Sequence, residues 1–277
     1  MSIVLDMPET EYHAHPALSS TGARQLLVAP AKFAYEQAHT RPSRPEFDLG
    51  TAVHTKVLGT GWNVVVIPEE LLGANGSVST KAAKEFVANA RLDGLVPVKA
   101  SVAETVNAMS ESVLAHKDAR VILEQAGNAE VSVFGECPTT GVEIRARFDF
   151  LSQTEKVVGA DLKTTAGEAS PEAFARSVGS FGYHIQEAHY RDAALFADHP
   201  VEAFVFIVVE KEPPYLTAVH VLDQDYQDIG RERALEARRR FRTALDTDEW
   251  PGYPDGIQIV RPPNYIIYDH IDRGNAA

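Results

Sequence analysis

VEIRARFDFL (142–151), the turn SQTE (152–155) and KVVGADLKT (156–164) together decide the fold. In the first run Val142, Ile144, Ala146, Phe148 and Phe150 alternate with Glu143, Arg145, Arg147 and Asp149. That is the period-two pattern of a half-buried strand with one polar face. In the second run Asp161 and Lys163 share one face, Ala160 and Leu162 the other. A hairpin turning near Thr154 and Glu155 pairs residues whose numbers sum to about 310, because the turn fixes the register. Asp149 then lies opposite Asp161, and Arg147 opposite Lys163. Like charges directly opposed in an antiparallel pair are destabilising, so two facing aspartates call for a cation.

The run before it, AEVSVFGE (129–136), has the same pattern. Val131 and Val133 share the apolar face with Ile144, Ala146 and Phe148 only if the pairing sum is about 279, since a one-residue slip would turn them outward. That register sets Glu130 opposite Asp149. Three carboxylates, Glu130, Asp149 and Asp161, converge beside Lys163. Hard cations such as Mg²⁺ take oxygen ligands of this kind, and a cation there polarises a phosphoryl oxygen and acidifies a bound water. A polar strand face is more often merely solvated, and an acid-x-Lys triplet recurs by chance. Yet of the nine lysines only Lys163 has a carboxylate two positions earlier, and its hairpin partner carries Asp149 in register.

Outward from this hairpin, Ser19, Ser20 and Thr21 cap a helix that ends near Pro30. Residues 50–58 form a second helix, Trp62–Ile67 a strand and 73–80 a loop, before helical stretches at 80–92 and 101–125. After the hairpin come a helix (181–197), strands at 203–210 and 216–222, a long helix at 226–246, and a tail rich in Pro, Gly and Tyr that wraps the surface. The order specifies an α/β (α+β) plan with one mixed sheet. We expect one domain over 1–277, with a helical N-terminal part (about 17–125) and a sheet core (about 129–250).

The chain has 277 residues, ordinary globular composition and a net charge of −13, which argues against a polyanionic partner. The helix RERALEARRRFR (231–242) carries six Arg against two Glu and offers a phosphate-tracking stripe, although such a run is usually a solvated face. With Cys137 the only cysteine, an intrachain disulfide and a four-cysteine zinc or iron–sulfur site are excluded. The acidic N-terminus lacks the basic start and apolar run of a signal peptide, and no stretch has the length of a membrane helix. The expected setting is cytoplasmic, without a membrane.

Asp149 and Asp161-Leu162-Lys163-Thr164, with Gly50-Thr51-Ala52-Val53-His54 upstream and Gln186 and Tyr190 downstream, resemble the PD-(D/E)XK nuclease superfamily. The closer resemblance is to RecB/RecE-type exonucleases of the exonuclease VIII group, found in phages and prophages. Ser79-Thr80-Lys81 and the Ala-Ala-Lys-Glu-Phe after it resemble a segment of the same group. Phe148 departs from the superfamily's nominal proline, and the single cysteine separates the chain from relatives bearing an iron–sulfur cluster.

The resemblance implies a restriction-endonuclease-like core, Mg²⁺ or Mn²⁺ dependence, cleavage of double-stranded DNA ends and a ring-shaped homo-oligomer. It also implies 5′→3′ polarity, with 3′ single strands handed to a single-strand annealing protein. On it, His54, Asp149, Asp161 and the Leu162 carbonyl are metal ligands, joined by Glu130 on the register argument. Lys163 orients the attacking water or stabilises charge on the phosphate. Gln186 and Tyr190, four apart on one helix face, complete the catalytic set. Arg145, Arg147, Arg238, Arg239 and Arg242 are the candidate DNA contacts. An endonuclease, a flap- or single-strand-specific nuclease and a non-catalytic DNA-end-binding accessory protein remain the alternatives.

Overall fold

A computed structural model describes residues 2–39, 49–59, 63–93 and 95–275. The elements run β1 (Ser2–Val4), α1 (Glu9–Ala14), β2 (Leu18–Ser19), α2 (Ser20–Val28), α3 (Pro30–Ala38), α4 (Leu49–Leu58) and β3 (Asn63–Val66). Next come α5 (Lys81–Leu92), β4 (Leu95–Val98), α6 (Ala100–Ala115), α7 (Lys117–Leu123), β5 (Gly127–Glu136), β6 (Glu143–Ser152) and β7 (Val158–Thr165). The chain continues with α8 (Pro171–Phe181), α9 (Tyr183–Phe196), β8 (Ala203–Glu210), β9 (Thr217–His220), α10 (Gln224–Thr247) and α11 (Asn264–Asn275). Trp62, expected to open a strand, lies outside the described residues.

A seven-stranded mixed sheet is ordered β1-β5-β6-β7-β8-β9, with β2 added to β6. Both expected pairing sums hold where the strands are laddered, but none of the expected Glu130–Asp149, Asp149–Asp161 and Arg147–Lys163 pairs is a ladder pair. β5 and β6 pair Ala129 with Phe150 and Val131 with Phe148, and β6 and β7 pair Phe150 with Ala160. β7 runs parallel to β8 along its whole length. Parallel neighbours need a crossover, and α8 with α9 supply it. Sequence reading saw only the second of these helices. Ser170 caps α8, Pro171 opens it, and Gly182 ends it in the left-handed conformation (φ 69°).

Two features of the sheet position the site. First, β6 and β7 separate beyond Phe150–Ala160, while β2 pairs in parallel with the start of β6 at Leu18–Ile144 and Ser19–Arg145. The sheet forks where Asp149 and Asp161 would otherwise be laddered. Second, the expected alternation of β6 fails at that fork. Ile144, Ala146 and Phe148 enter the core under α2, α9 and α10, whereas Phe150 joins Val53, Val106, Ala160 and Leu162 in the opposite core under α4, α6 and α7. Glu130, paired with nothing between Ala129 and Val131, has φ 52°. A left-handed residue in one strand turns the ribbon over and re-aims its neighbours.

The long helix α10 packs on α9 at close range, because a Cβ on Gly230 would lie 2.3 Å from the His184 carbonyl oxygen. Residues 251–263 carry no regular structure before α11 begins and are exposed. Among the described residues no helix is long and apolar enough to cross a membrane.

Candidate metal centre at the sheet fork

Asp149 sits on the last residue of β6 before the fork. With its ladder partner gone, its Oδ2 accepts the Leu162 backbone N–H at 2.6 Å. From the opposite layer α4 brings His54, whose Nδ1 lies 3.4 Å from Asp149 Oδ2 and whose Nε2 lies 2.5 Å from the Leu162 carbonyl oxygen. The left-handed turn at Glu130 points its carboxylate at the same spot. Donor atoms of His54, Glu130 and Asp149 all fall within 4.8 Å of one another.

Asp161, on β7, faces the α9 side. Its Oδ1 accepts from Gln186 Nε2 at 2.5 Å, and Oδ2 pairs with Lys163 Nζ at 2.6 Å. Tyr190, one turn along α9, hydrogen-bonds the Gln186 side chain and packs its ring against Phe148 at 5.2 Å. Gln186 and Tyr190 therefore reach the centre through Asp161. The Lys163 ammonium also lies over the Tyr183 ring, 4.7 Å from its centroid.

The electrostatics are those of a site short of positive charge. Burial raises Asp149 to about 7; His54 and Lys163 pull it down and Asp161 pushes it up. Glu130 is also raised by burial. Burial alone would lower His54 and Lys163, but the aspartates around them raise both. Carboxyls this reluctant to ionise, with an imidazole and a backbone carbonyl among them, fit a divalent cation, which would supply the missing charge. A cavity of about 760 Å³ opens on the cluster, walled by Glu130, Asp149 and Lys163 and by α4 residues Gly50, Thr51 and His54.

Residues 19–263 match the PDDEXK-like domain of unknown function (DUF3799). The chain belongs to that family. This PDDEXK-like chain also resembles a solved "Putative exonuclease" from Eubacterium rectale in fold, with a TM-score of 0.57 at 11% identity, over 94% of this chain and 96% of the other. A second structure, SSO0001, aligns with 75% of this chain and 91% of its own at 12% identity, but its TM-score of 0.29 carries no argument. No curated protein matches the sequence.

The PDDEXK-like core thus gathers His54, Glu130, Asp149, Asp161, the Leu162 carbonyl, Lys163, Gln186 and Tyr190 at one fork. Of the candidate arginines it gathers only Arg147, which lines the same cavity. Arg145 is buried, and its guanidinium hydrogen-bonds the His13 and His15 carbonyls. Arg147 donates to Ser132 Oγ at 3.0 Å and to the Met7 carbonyl at 2.8 Å. Both lie over the Tyr12 ring, at 5.0 and 4.3 Å. They fasten an N-terminal segment across the polar face of β6, so that face is covered rather than open to a ligand. Arg147 alone of the two still reaches the cavity, where Asp6, Met7, Glu9, Tyr12 and His13 form a wall that sequence reading missed.

The basic stripe on α10 is corrected as well. Arg238 is 3% exposed and pairs with Asp192 at 2.6 Å. Arg242 is paired with Asp246, Arg231 with Asp228, and Arg233 and Arg240 with Glu236. Arg239 is exposed. The surplus of six Arg over two Glu arose because residues 231–242 exclude the acids one turn beyond each end. Thr80 of the segment at 79–81 serves as the N-cap of α5, accepting from Ala83 N at 3.0 Å.

Proposed function

We propose that the chain is a divalent-metal-dependent DNA exonuclease of the exonuclease VIII type, hydrolysing phosphodiester bonds at linear duplex ends. The observation that carries the proposal is the convergence of His54, Glu130 and Asp149 within 4.8 Å beside the Asp161–Lys163 pair. His54, Glu130, Asp149, Asp161 and the Leu162 carbonyl would hold Mg²⁺ or Mn²⁺. The bound ion would supply Lewis acidity and a water of lowered pKa.

The remaining roles belong to the protein. Lys163, held by Asp161 and seated over Tyr183, keeps its proton and presents a fixed positive charge to the phosphate. Gln186 locks Asp161 in the rotamer that holds Lys163, and Tyr190 locks Gln186. The 5′→3′ direction, the 3′ single-stranded product, an annealing partner and a ring-shaped oligomer follow from the resemblance in the motifs at 50–54, 149, 161–164 and 186–190.

The test is digestion of linear duplex labelled at either end, with Mg²⁺, with Mn²⁺ and with EDTA, by the native protein and by Lys163→Ala. Metal-dependent release from the 5′ label, lost in Lys163→Ala, is expected. Full activity in Lys163→Ala would sink the mechanism. Nicking of a covalently closed circle would make the protein an endonuclease instead.

A further inference from the structure

Next to Lys163, and outside the walls of the cavity over the metal centre, three side chains that no motif covers meet at the α8–α9 junction. Phe181, the last residue of α8, is 58% exposed. Its ring stacks on Tyr183 with centroids 5.6 Å apart and planes inclined by 29°. Tyr183 in turn carries the Lys163 ammonium. Arg24, from α2, lies under the junction, donating to the Phe181 carbonyl and, at 3.0 Å, to Thr21 Oγ1. A Cβ at position 182 would sit 2.8 Å from Arg24 Cδ, so the left-handed Gly182 both turns the chain and admits the stem of the Arg24 side chain.

The chemistry differs from that of an ordinary surface. A single exposed aromatic residue means nothing by itself. This one continues a row that leads to the candidate catalytic lysine. Among the described residues no carboxylate forms an ion pair with Arg24. Its acceptors are a carbonyl and a hydroxyl, so no carboxylate neutralises it in direct contact, and it interacts at longer range with Tyr190, Tyr183 and Asp161. An aromatic face beside such a guanidinium suits a nucleobase with its phosphate, as single-strand-binding surfaces combine stacking with positive charge.

We infer that Phe181, Tyr183 and Arg24 form a platform that seats one unpaired nucleotide next to the scissile phosphate. Phe181 stacks on the base and Arg24 holds the adjoining phosphate. The inference rests on the nuclease reading and names the form of substrate that the centre takes: a strand end already separated from its complement for at least one nucleotide.

The experiment measures KM and kcat for metal-dependent digestion of 5′-labelled DNA by native protein, Phe181→Leu, Phe181→Trp and Arg24→Lys. Stacking is worth about 1–3 kcal/mol per base, so Phe181→Leu should raise KM about tenfold with kcat little changed. Phe181→Trp should restore it. Arg24→Lys, which keeps charge but loses the fork, should lie between. Substrates with an abasic site scanned over the three terminal nucleotides supply the decisive control. At one position the native enzyme should lose about tenfold, whereas Phe181→Leu should lose nothing more, because the base has no ring left to stack on. Additive losses at every position, or an unchanged KM in Phe181→Leu while native protein cleaves, would overturn the platform. Failure of native protein to cleave at all would instead sink the nuclease reading.

Discussion

Replacing Glu130 by glycine should remove the metal response and make the metal-free protein no less stable. Glu130 holds φ 52° in the middle of β5, where its neighbours are laddered to β6. A residue with a Cβ costs about 1–2 kcal/mol in the left-handed region. Glycine relieves that but loses about 0.5–1 kcal/mol through the greater freedom of its unfolded chain. The backbone balance is a gain of roughly 0.5–1 kcal/mol, a rise of about 1–3 °C in Tm for a chain of this size. Removing a carboxyl whose ionisation burial already resists acts in the same direction. Glu130→Ala deletes the same carboxylate yet keeps the strained Cβ, so the pair isolates the backbone contribution.

The assay is thermal unfolding of the native protein, Glu130→Gly and Glu130→Ala, in EDTA and over a Mn²⁺ titration. A ligand at a hundred times its Kd stabilises by about 2.7 kcal/mol, and both variants should lose most of that shift. In EDTA the order of Tm should be Gly above Ala. If Glu130→Gly melts below Glu130→Ala, the turn at 130 is not strained. If either variant keeps the full Mn²⁺ shift, Glu130 is not a ligand.

The buried His189 donates from Nε2 to the Leu18 and Arg145 carbonyls, and burial, reinforced by Arg238, holds its pKa down to about 3. Because the folded value lies below the unfolded one, its contribution is intact above about pH 6.5 and is lost as pH falls toward 3. Native protein should therefore lose about 2 kcal/mol more than His189→Gln between pH 7 and 5, read by urea denaturation; parallel losses would refute the burial argument. Gln186→Ala leaves the buried Asp161 Oδ1 without its donor and should cost about 1–3 kcal/mol and lower kcat, with Tyr190→Phe a weaker copy of both in the same melts and digests. Arg238→Ala breaks a buried ion pair and should destabilise by about 3–5 kcal/mol while the DNA affinity of the surviving folded protein is unchanged; a loss of affinity without a loss of Tm would return the α10 stripe to the DNA path.

The register of the central hairpins is legible because two independent constraints fix it, the turn at Thr154–Glu155 and the need to bury Val131 and Val133. Those constraints place Glu130 beside Asp149, as in the observed cluster, and set Asp161 on the adjoining strand, where its carboxylate turns to Gln186 and Lys163. What they could not give is the reversal at the fork. Strict alternation through Phe150 presumes a flat ribbon, and the left-handed Glu130 has no residue-type signal, since glycine or asparagine would be expected there. The cover over Arg145 and Arg147 was illegible for a different reason. β1 has three residues and α1 six, too few for periodicity to show. The break at Gly182 was present as an aromatic-Gly-aromatic triplet, Phe181-Gly182-Tyr183, and could have been read as a helix C-cap.

An acidic chain can still hold a polyanion if its few uncompensated cations lie where the phosphate must sit. Five of the six α10 arginines, all but the exposed Arg239, are neutralised by aspartates and glutamates on or beside their own helix. At the fork the cations take other partners. Arg24 and Arg147 rest on carbonyls and hydroxyls, and Lys163 shares a single aspartate. Three such cations imply about three neutralised phosphates, and for a single strand log K should fall with log[salt] at a slope near −2 (about −0.7 per phosphate). Fluorescence anisotropy of a short labelled oligonucleotide, titrated from low to moderate salt in Ca²⁺, measures that slope. Arg24→Gln should flatten it by somewhat less than one, and Arg239→Ala should leave it alone. A slope steeper than about −4 would require a longer cationic track than the fork provides, and with it a DNA path elsewhere on the surface.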